Sequence, residues 1–306
     1  MREVLEGLHA AGYRAFLVGG CVRDLLREKE PKDFDLATSA RPEQVQQVFK
    51  KVIPTGIEHG TVTVVQKGTH VEVTTFRAEA DYVDGRRPSK VEFHEDIEAD
   101  LSRRDFTMNA IAWDPEKNEL VDPFDGRGDL AKKTVRCVRD AFERFSEDGL
   151  RPLRAVRFAT VLDFEIEPQT EAAIGRTLSV FRKVAAERVL QEFQKLLLAP
   201  SATTGLQLLE RTGLLREFLP EASVAEFSAV GRAPKDEAIR MALVLLGAPK
   251  PREIMMRLKF PNRVADDAAA LVLKAELPPV TSTDAELRRW LSQIDASRAE
   301  PLLALH

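Results

Sequence analysis

The sequence predicts an α+β protein: a mixed α/β head followed by an all-helical half. Three observations carry that prediction. Short β-branched alternating runs separated by glycines fill the first part of the chain. After Gly128 apolar residues recur instead at helical spacing, as in Leu150, Leu153 and Val156, and in Val189, Phe193, Leu196 and Leu197. Pro200, Pro220, Pro249 and Pro261 then punctuate the helical half, where each removes a backbone donor and ends a helix.

In chain order, residues 1–12 read as an amphipathic helix without the basic-then-apolar layout of a signal peptide. Phe16, Leu17 and Val18 form a strand entering Gly19-Gly20, followed by a helix. Asp33, Phe34 and Asp35 alternate as a strand does, which sets both carboxylates on one face. Val52–Ile53, 61–66 and 70–76 read as further strands, with Gly56, Gly60 and Gly68 in the turns between them. Residues 104–113 are expected as a helix or turn beneath the strands, and Phe124-Asp125-Gly126 as the close of the domain. The expected division is a head at 1–128, a neck at 129–200 and a body at 201–306.

The stretch 16–36, FLVGGCVRDLLREKEPKDFDL, carries the chemistry. At Gly19-Gly20 bare backbone amides can approach a phosphate with no side chain in the way. Two carboxylates on one strand face can hold Mg²⁺, which takes oxygen ligands and shares its shell with substrate phosphates. Together they point to metal-assisted phosphoryl or nucleotidyl transfer, with Asp33 and Asp35 as the metal ligands.

Composition narrows the class. With 306 residues, 44% of them hydrophobic, the chain is long enough for two or three domains, and no apolar run approaches a membrane span. Cys21 and Cys137 are the only cysteines and lack metal-type spacing, which argues against a disulfide framework or a zinc site and for reduced, structural thiols in a cytoplasmic protein. The formal net charge of −4 argues against a chain coated in nucleic acid. Locally the balance reverses: nine Lys and Arg residues stand against five Asp and Glu over 127–157, enough to line one groove.

Further motifs follow in order: Val71-Glu72-Val73-Thr74-Thr75-Phe76-Arg77, Tyr82-Val83-Asp84-Gly85-Arg86-Arg87-Pro88, Arg103-Arg104-Asp105-Phe106-Thr107-Met108-Asn109-Ala110 and Glu147-Asp148-Gly149-Leu150-Arg151. With the glycine pair and Asp33-Phe34-Asp35 they span about 16–197. They resemble the polymerase-β-like nucleotidyltransferase head and neck of tRNA CCA-adding enzymes and bacterial poly(A) polymerases. The C-terminal third matches only loosely.

The resemblance implies template-independent addition of CCA to tRNA 3′ ends from CTP and ATP, with two Mg²⁺ ions and release of pyrophosphate. It implies that Gly19, Gly20 and Arg23 hold the triphosphate, and that Glu72 joins Asp33 and Asp35, deprotonating the 3′ hydroxyl or completing the metal shell. Arg104, Asp105 and Asn109 match a motif that contacts the nucleotide and its ribose. Asp148 and Arg151 would read the base edge, with Arg154 and Arg157 continuing the row and Glu147 placed to hold Arg151. Gly149 and Pro152 are poor helix residues, so the helix is expected to begin near Pro152 or to kink there.

Asp84, Arg86 and Arg87 match a flexible loop that shifts specificity from C to A, and its presence argues for A addition. Thr55-Gly56-Ile57-Glu58-His59-Gly60-Thr61 resembles the CCA-adding rather than the poly(A) branch. An A-adding enzyme with a separate CC-adding partner would keep the same motifs. A non-catalytic RNA-binding module and a small-molecule nucleotidyltransferase are alternatives of other classes, the first disfavoured by a full set of carboxylates and the second by Asp148, Arg151 and the helical half. No histidine but terminal His306 follows His94, so a His-Asp phosphohydrolase site is not expected. Family members usually continue past the body into a tail that grips tRNA. Here 285–294 reads as one more helix before His306, so the expectation is that head, neck and body suffice to bind nucleotides and the tRNA 3′ end and acceptor stem, with tRNA affinity weakened for want of the tail's grip on the elbow.

Overall fold

A computed structural model describes residues 1–82, 88–93, 96–273, 282–286 and 288. They pack as two compact units: Met1–Asp148 with Glu165–Thr170, and a second that begins with Gly149–Phe164 and resumes at Glu171. The stretch 129–200 therefore contributes to both.

The first unit runs α1 (Arg2–Ala10), β1 (Ala15–Val18), α2 (Gly20–Leu26), β2 (Asp35–Thr38), α3 (Pro42–Val48), β3 (Val52–Gly56), β4 (Thr61–Gln66), β5 (Thr69–Thr75), β6 (Arg77–Tyr82) and β7 (Pro88–Phe93). It continues through α4 (Ile97–Ser102), a 3-10 turn (Thr107–Asn109), β8 (Ala112–Asp114), β9 (Glu119–Val121), α5 (Gly126–Ala131), β10 (Thr134–Val135) and α6 (Ala141–Glu147), and takes in β11 (Glu165–Ile166). Seven strands form one mixed sheet in the order β3-β4-β5-β2-β1-β8-β9. Within it β2 and β5 are parallel and the other neighbours antiparallel.

Strand alternation divides the core between the two faces. Leu17, Leu36, Val62, Val64, Val71 and Val73 pack with Val4, Leu5 and Leu8 of α1. Phe16, Val18 and Ala37 turn the other way, onto Phe76, Ala110 and the α4 residues Ile97 and Leu101. Because β1 is buried along its whole length, it reads as a continuous apolar run, as a central strand should.

Several expectations need correction. The helix or turn expected over 104–113 is a three-residue 3-10 turn at Thr107–Asn109, and it does not reach Trp113, which lies in β8 paired with Leu17 of β1. Ala110, Ile111 and Ala112 are all buried, so the segment carries no period to separate a strand from a helix. The unit does not close at 124–126 but continues to Asp148. Nor is the chain wholly helical after Gly128: β10 and β11 pair in parallel, Thr134 with Glu165, over two residues that are too few to alternate visibly. The regular strand β2 begins at Asp35, with Asp33 in a bend before it. β6 and β7, which flank the segment read as a flexible loop, pair antiparallel with Arg77 opposite Phe93. Asp84, Arg86 and Arg87 lie outside the described residues, as does most of the helix expected at 285–294.

The second unit is helical among its described residues: α7 (Arg151–Leu162), most of α8 (Pro168–Arg176), α9 (Leu178–Phe181), α10 (Ala186–Leu197), α11 (Ala202–Arg211), α12 (Leu214–Phe218), α13 (Phe227–Arg232), α14 (Glu237–Val244), α15 (Pro251–Arg257) and α16 (Asn262–Leu273). The four punctuating prolines all fall between these helices. Pro152 sits in the first turn of α7, where its missing N–H costs nothing, so the helix begins there rather than kinking. Gly149 just before it is obligatory for another reason. A Cβ at that position would stand 2.6 Å from the carbonyl oxygen of Val180.

Candidate active site

The parallel pairing of β2 with β5 sets Asp35 level with Glu72, and the amide of Glu72 donates to the carbonyl of Phe34 at 3.3 Å. Both side chains project from the sheet face that carries Phe16 and Val18. Burial pushes the Asp35 carboxyl above its ordinary value, Arg104 pulls it back and Asp33 adds to the rise. Desolvation raises Glu72 too, followed by the charge of Asp35; Arg77 opposes and Asp33 contributes again. The three carboxylates thus feel one another, although Asp33 is exposed and stands before the strand.

Such a set fits Mg²⁺. Mutual repulsion between hard oxygen donors is relieved by a divalent cation. Among the described residues no three His, Cys, Asp or Glu side chains are gathered closely enough to cage an ion by themselves. Mg²⁺ requires no such cage, since it commonly takes one or two carboxylates and fills its shell with water and substrate phosphates.

β1 delivers the chain into Gly19, whose φ of 76° lies in the left-handed region open to glycine. A Cβ there would meet Arg104 Nη1 at 2.8 Å and Asp35 Oδ2 at 3.7 Å. The glycine is therefore needed twice, for its conformation and for the guanidinium packed behind it. No side chain caps α2, which starts at Gly20, so the amides of its first turn are not satisfied by a capping group.

What holds Arg104 there is a residue that sequence reasoning missed. Asp100 on α4 is fully buried; its Oδ2 accepts from Arg104 Nη2 at 3.0 Å, and its Oδ1 accepts from Arg103 Nε at 2.9 Å and Nη2 at 2.7 Å. The i,i+3 and i,i+4 spacing was readable, but burial of the aspartate was not. Burial alone would raise the Asp100 carboxyl, yet the charges and hydrogen bonds of Arg103 and Arg104 hold it below the ordinary 3.8. A carboxylate depressed on folding stabilises the fold above its unfolded value and loses that contribution as pH falls through the folded one. Asp100→Asn is therefore expected to cost about 3 kcal/mol at pH 7, by leaving two half-buried guanidiniums short of their buried counter-charge, with the deficit shrinking below about pH 4. Urea unfolding of both proteins at pH 7 and pH 3.5 measures it, and a pH-independent deficit would contradict the charge pairing.

Arg23, Asn109 and Asp105 form a second buried chain. Arg23 donates from Nη1 to Asn109 Oδ1 at 2.9 Å and from Nε to Asp24 Oδ1 at 2.9 Å. Asn109 Nδ2 donates to Asp105 Oδ1 at 3.1 Å, which also accepts from the amide of Phe106 at 2.8 Å. The 3-10 turn joins these two positions. Thr107 in the same turn donates to the buried Asp129 at 2.5 Å. The Arg23 guanidinium also lies alongside Gly20, 3.6 Å from where its Cβ would be.

In the helical part, Asp148 follows α6 as its C-terminal cap residue, and Glu147 pairs with Arg144 one turn before it. Within the second unit, Arg151 opens α7 and is buried, and Arg157 Nε donates to Glu192 Oε2 of α10 at 2.7 Å. Arg154 lies 3.7 Å from the other oxygen of Glu192. Glu192 is 5% exposed and was not foreseen. The arginine row is thus anchored on its inner side by one carboxylate.

Comparison with known proteins shows the family and the fold. Residues 15–136 match the Poly A polymerase head domain family, and 163–226 match the family described as the probable RNA and SrmB-binding site of polymerase A. The CCA-adding enzyme of Geobacillus stearothermophilus is 42% identical over 284 residues, 90% of this chain and 70% of that one. The chain belongs to the family of CCA-adding enzymes. Another member, from Lactobacillus johnsonii, is 44% identical over 254 residues, 82% of this chain; the match spans 64% of the relative's own length. The crystal structure of the Bacillus stearothermophilus CCA-adding enzyme in complex with CTP has the same fold at a TM-score of 0.86 and 36% identity, over 99% of this chain and 75% of that one. A tRNA nucleotidyltransferase complexed with a primer tRNA and an incoming ATP analogue shares the fold at a TM-score of 0.79 and 24% identity. Family and fold class are therefore those that the sequence motifs resemble. No helix among the described residues is long and apolar enough to cross a membrane.

Proposed function

We propose that the chain is a template-independent tRNA nucleotidyltransferase that adds CCA to tRNA 3′ ends from CTP and ATP in the cytoplasm. The observation that carries this is the level pairing of Asp35 with Glu72 beside the open glycine turn at Gly19, in a chain of the CCA-adding family. In this division of labour the first unit performs the chemistry, residues within 129–200 read the base and 201–306 supports the RNA.

Asp33 and Asp35 would hold Mg²⁺, two ions in all, and when bound it supplies charge neutralisation and a lower pKa for the attacking hydroxyl. Glu72, level with Asp35 on the same sheet face, is placed to take the proton of the 3′ hydroxyl or to complete the metal shell. The hydroxyl oxygen attacks the α-phosphorus in line and pyrophosphate leaves toward Gly19 and Gly20. Arg104 and Arg23 supply positive charge along that exit. Asp105 and Asn109 keep Arg23 and the 3-10 turn in place beneath the ribose.

Asp148 accepts from an exocyclic amine, and Arg151 donates to ring nitrogens and carbonyls. Cytosine and adenine satisfy both, whereas uracil and guanine leave polar groups unpaired. Arg154 and Arg157 complete the row, and Asp84, Arg86 and Arg87 belong to the loop that permits A after C. Arg151→Ala is expected to lower discrimination of CTP over UTP by about 10- to 100-fold while changing the triphosphate KM less. Single-turnover rates with each nucleotide measure this, and unchanged discrimination removes Arg151 from base reading. The function as a whole is tested by pyrophosphate release with CTP on tRNA against unrelated RNA and aminoglycoside acceptors. A small-molecule enzyme would ignore the tRNA.

A further inference from the structure

Beyond Glu72, on the side away from Asp35, the sheet face continues in hydroxyls. Thr63 of β4 stands directly opposite Glu72 in the antiparallel register. Its Oγ1 lies 3.1 Å from Oγ1 of Thr55 on β3. Directly opposed residues share a face, so Asp35, Glu72 and Thr63 make one row across β2, β5 and β4. On β3 the residue level with Thr63 is Ile53, and Thr55, beyond the register shift that follows it, reaches the row through its hydroxyl. Thr63 is half-buried and Thr55 exposed, so the row is open to a ligand rather than sealed in the core.

The glycine turn lies on the other side of the carboxylates, since Val18 pairs with Asp35 and leads into Gly19. This face thus has a phosphate side and a hydroxyl side, with Asp35 and Glu72 between. In-line displacement requires the attacking and leaving oxygens on opposite sides of the phosphorus. With pyrophosphate leaving over β1, the attacking sugar must arrive over β5 and β4. Strands stand about 4.8 Å apart, so Thr63 is the next group that a sugar meets after Glu72.

We propose that Thr63, backed by Thr55, is a specificity residue for the acceptor. Its hydroxyl hydrogen-bonds the 2′ hydroxyl of the terminal ribose, brings the neighbouring 3′ hydroxyl to Glu72 and selects RNA over DNA ends. A hydroxyl is suited to this, because the 2′ group both donates and accepts and is the group that distinguishes the two sugars. Thr55 opens the Thr55–Thr61 motif, and this placement gives its side chain a task. The inference rests on the proposed transfer to an RNA 3′ end.

A second hydroxyl pair supplies the control. Thr61 and Thr74 also stand 3.1 Å apart, but Thr74 is level with Ala37 rather than with a carboxylate. The test uses an acceptor-stem RNA ending in CC and the same RNA with a 2′-deoxy terminal C. ATP incorporation and fluorescence-anisotropy binding are measured for the unmutated chain, Thr63→Val and Thr61→Val. The unmutated chain and Thr61→Val should prefer the ribose end by about tenfold, the loss expected of one hydrogen bond. Thr63→Val should lose that preference by falling on the ribose end only, with the ATP KM unchanged. Retention of the preference in Thr63→Val, its absence from the unmutated chain, or an equal fall on both RNAs would overturn the assignment. Failure of the unmutated chain to extend either RNA would instead refute nucleotidyl transfer, and the binding ratios would still decide on Thr63.

Discussion

Replacement of Asp35 by alanine is expected to lower CTP incorporation by at least about a thousandfold while leaving the fold intact. The side chain is half-buried, its pKa is raised by burial, and it shares its surroundings with Asp33 and Glu72. Burial of the charge, with Asp33 adding to it, outweighs the attraction of Arg104, so the carboxylate contributes little to stability without Mg²⁺. Its removal relieves that desolvation, and thermal unfolding measured without Mg²⁺ should be unchanged or slightly delayed. Protection by Mg²⁺ should disappear in the variant, because ligand-linked stabilisation requires the site. Substantial turnover by purified Asp35→Ala with Mg²⁺ would remove Asp35 from the chemistry. A large loss of stability would recast it as a structural residue.

The largest effect on stability is expected at Arg240 in the helical unit. Its guanidinium is 2% exposed and is held by carbonyl oxygens: Leu197 at 2.6 Å, Ala199 at 2.8 Å, Ala233 at 2.9 Å and Pro234 at 3.0 Å. Leu197 ends α10 and Ala233 follows α13, so the cation meets the negative ends of two helices. Arg240→Ala leaves these acceptors without a donor and opens a cavity. About 4 kcal/mol is the expected cost, a fall of about 10 °C in Tm. Arg240→Lys should recover only part, because an ammonium cannot span the fork of a guanidinium. A fall of less than about 3 °C for the alanine variant would show that water replaces the guanidinium.

The strand that bears Glu72 and its neighbour were legible because β-branched residues alternate along 69–75 and 61–66, and alternation alone sets Glu72 on the face opposite Val71 and Val73. Its register against Asp35 was not legible, since pairing between strands distant in sequence leaves no local trace. The short elements were missed for a simpler reason. α4 spans six residues and β10 two, less than the length over which a period can be read. Buried charge was the least legible feature of all. Arg23 and Arg157 were read as ligand-binding residues, but not as buried ones: each is 9% exposed or less and is held by protein carboxylate or amide groups. Charged residues are almost never fully buried unless paired, and the partners, Asp24 with Asn109 and Glu192, lie up to 86 positions away. Asp100 and Arg240 escaped notice in the same way.

The most direct test of the central claim is incorporation of labelled CTP and ATP, singly and together, on tRNA transcripts ending at the discriminator base, at C and at CC, with Mg²⁺. The structure and family together predict C on the first two transcripts, A only on the third, and the complete CCA end when both nucleotides are present. Addition of A to the CC-ending transcript with no C addition anywhere would make the chain an A-adding specialist, and long A tracts on any RNA would contradict CCA addition outright.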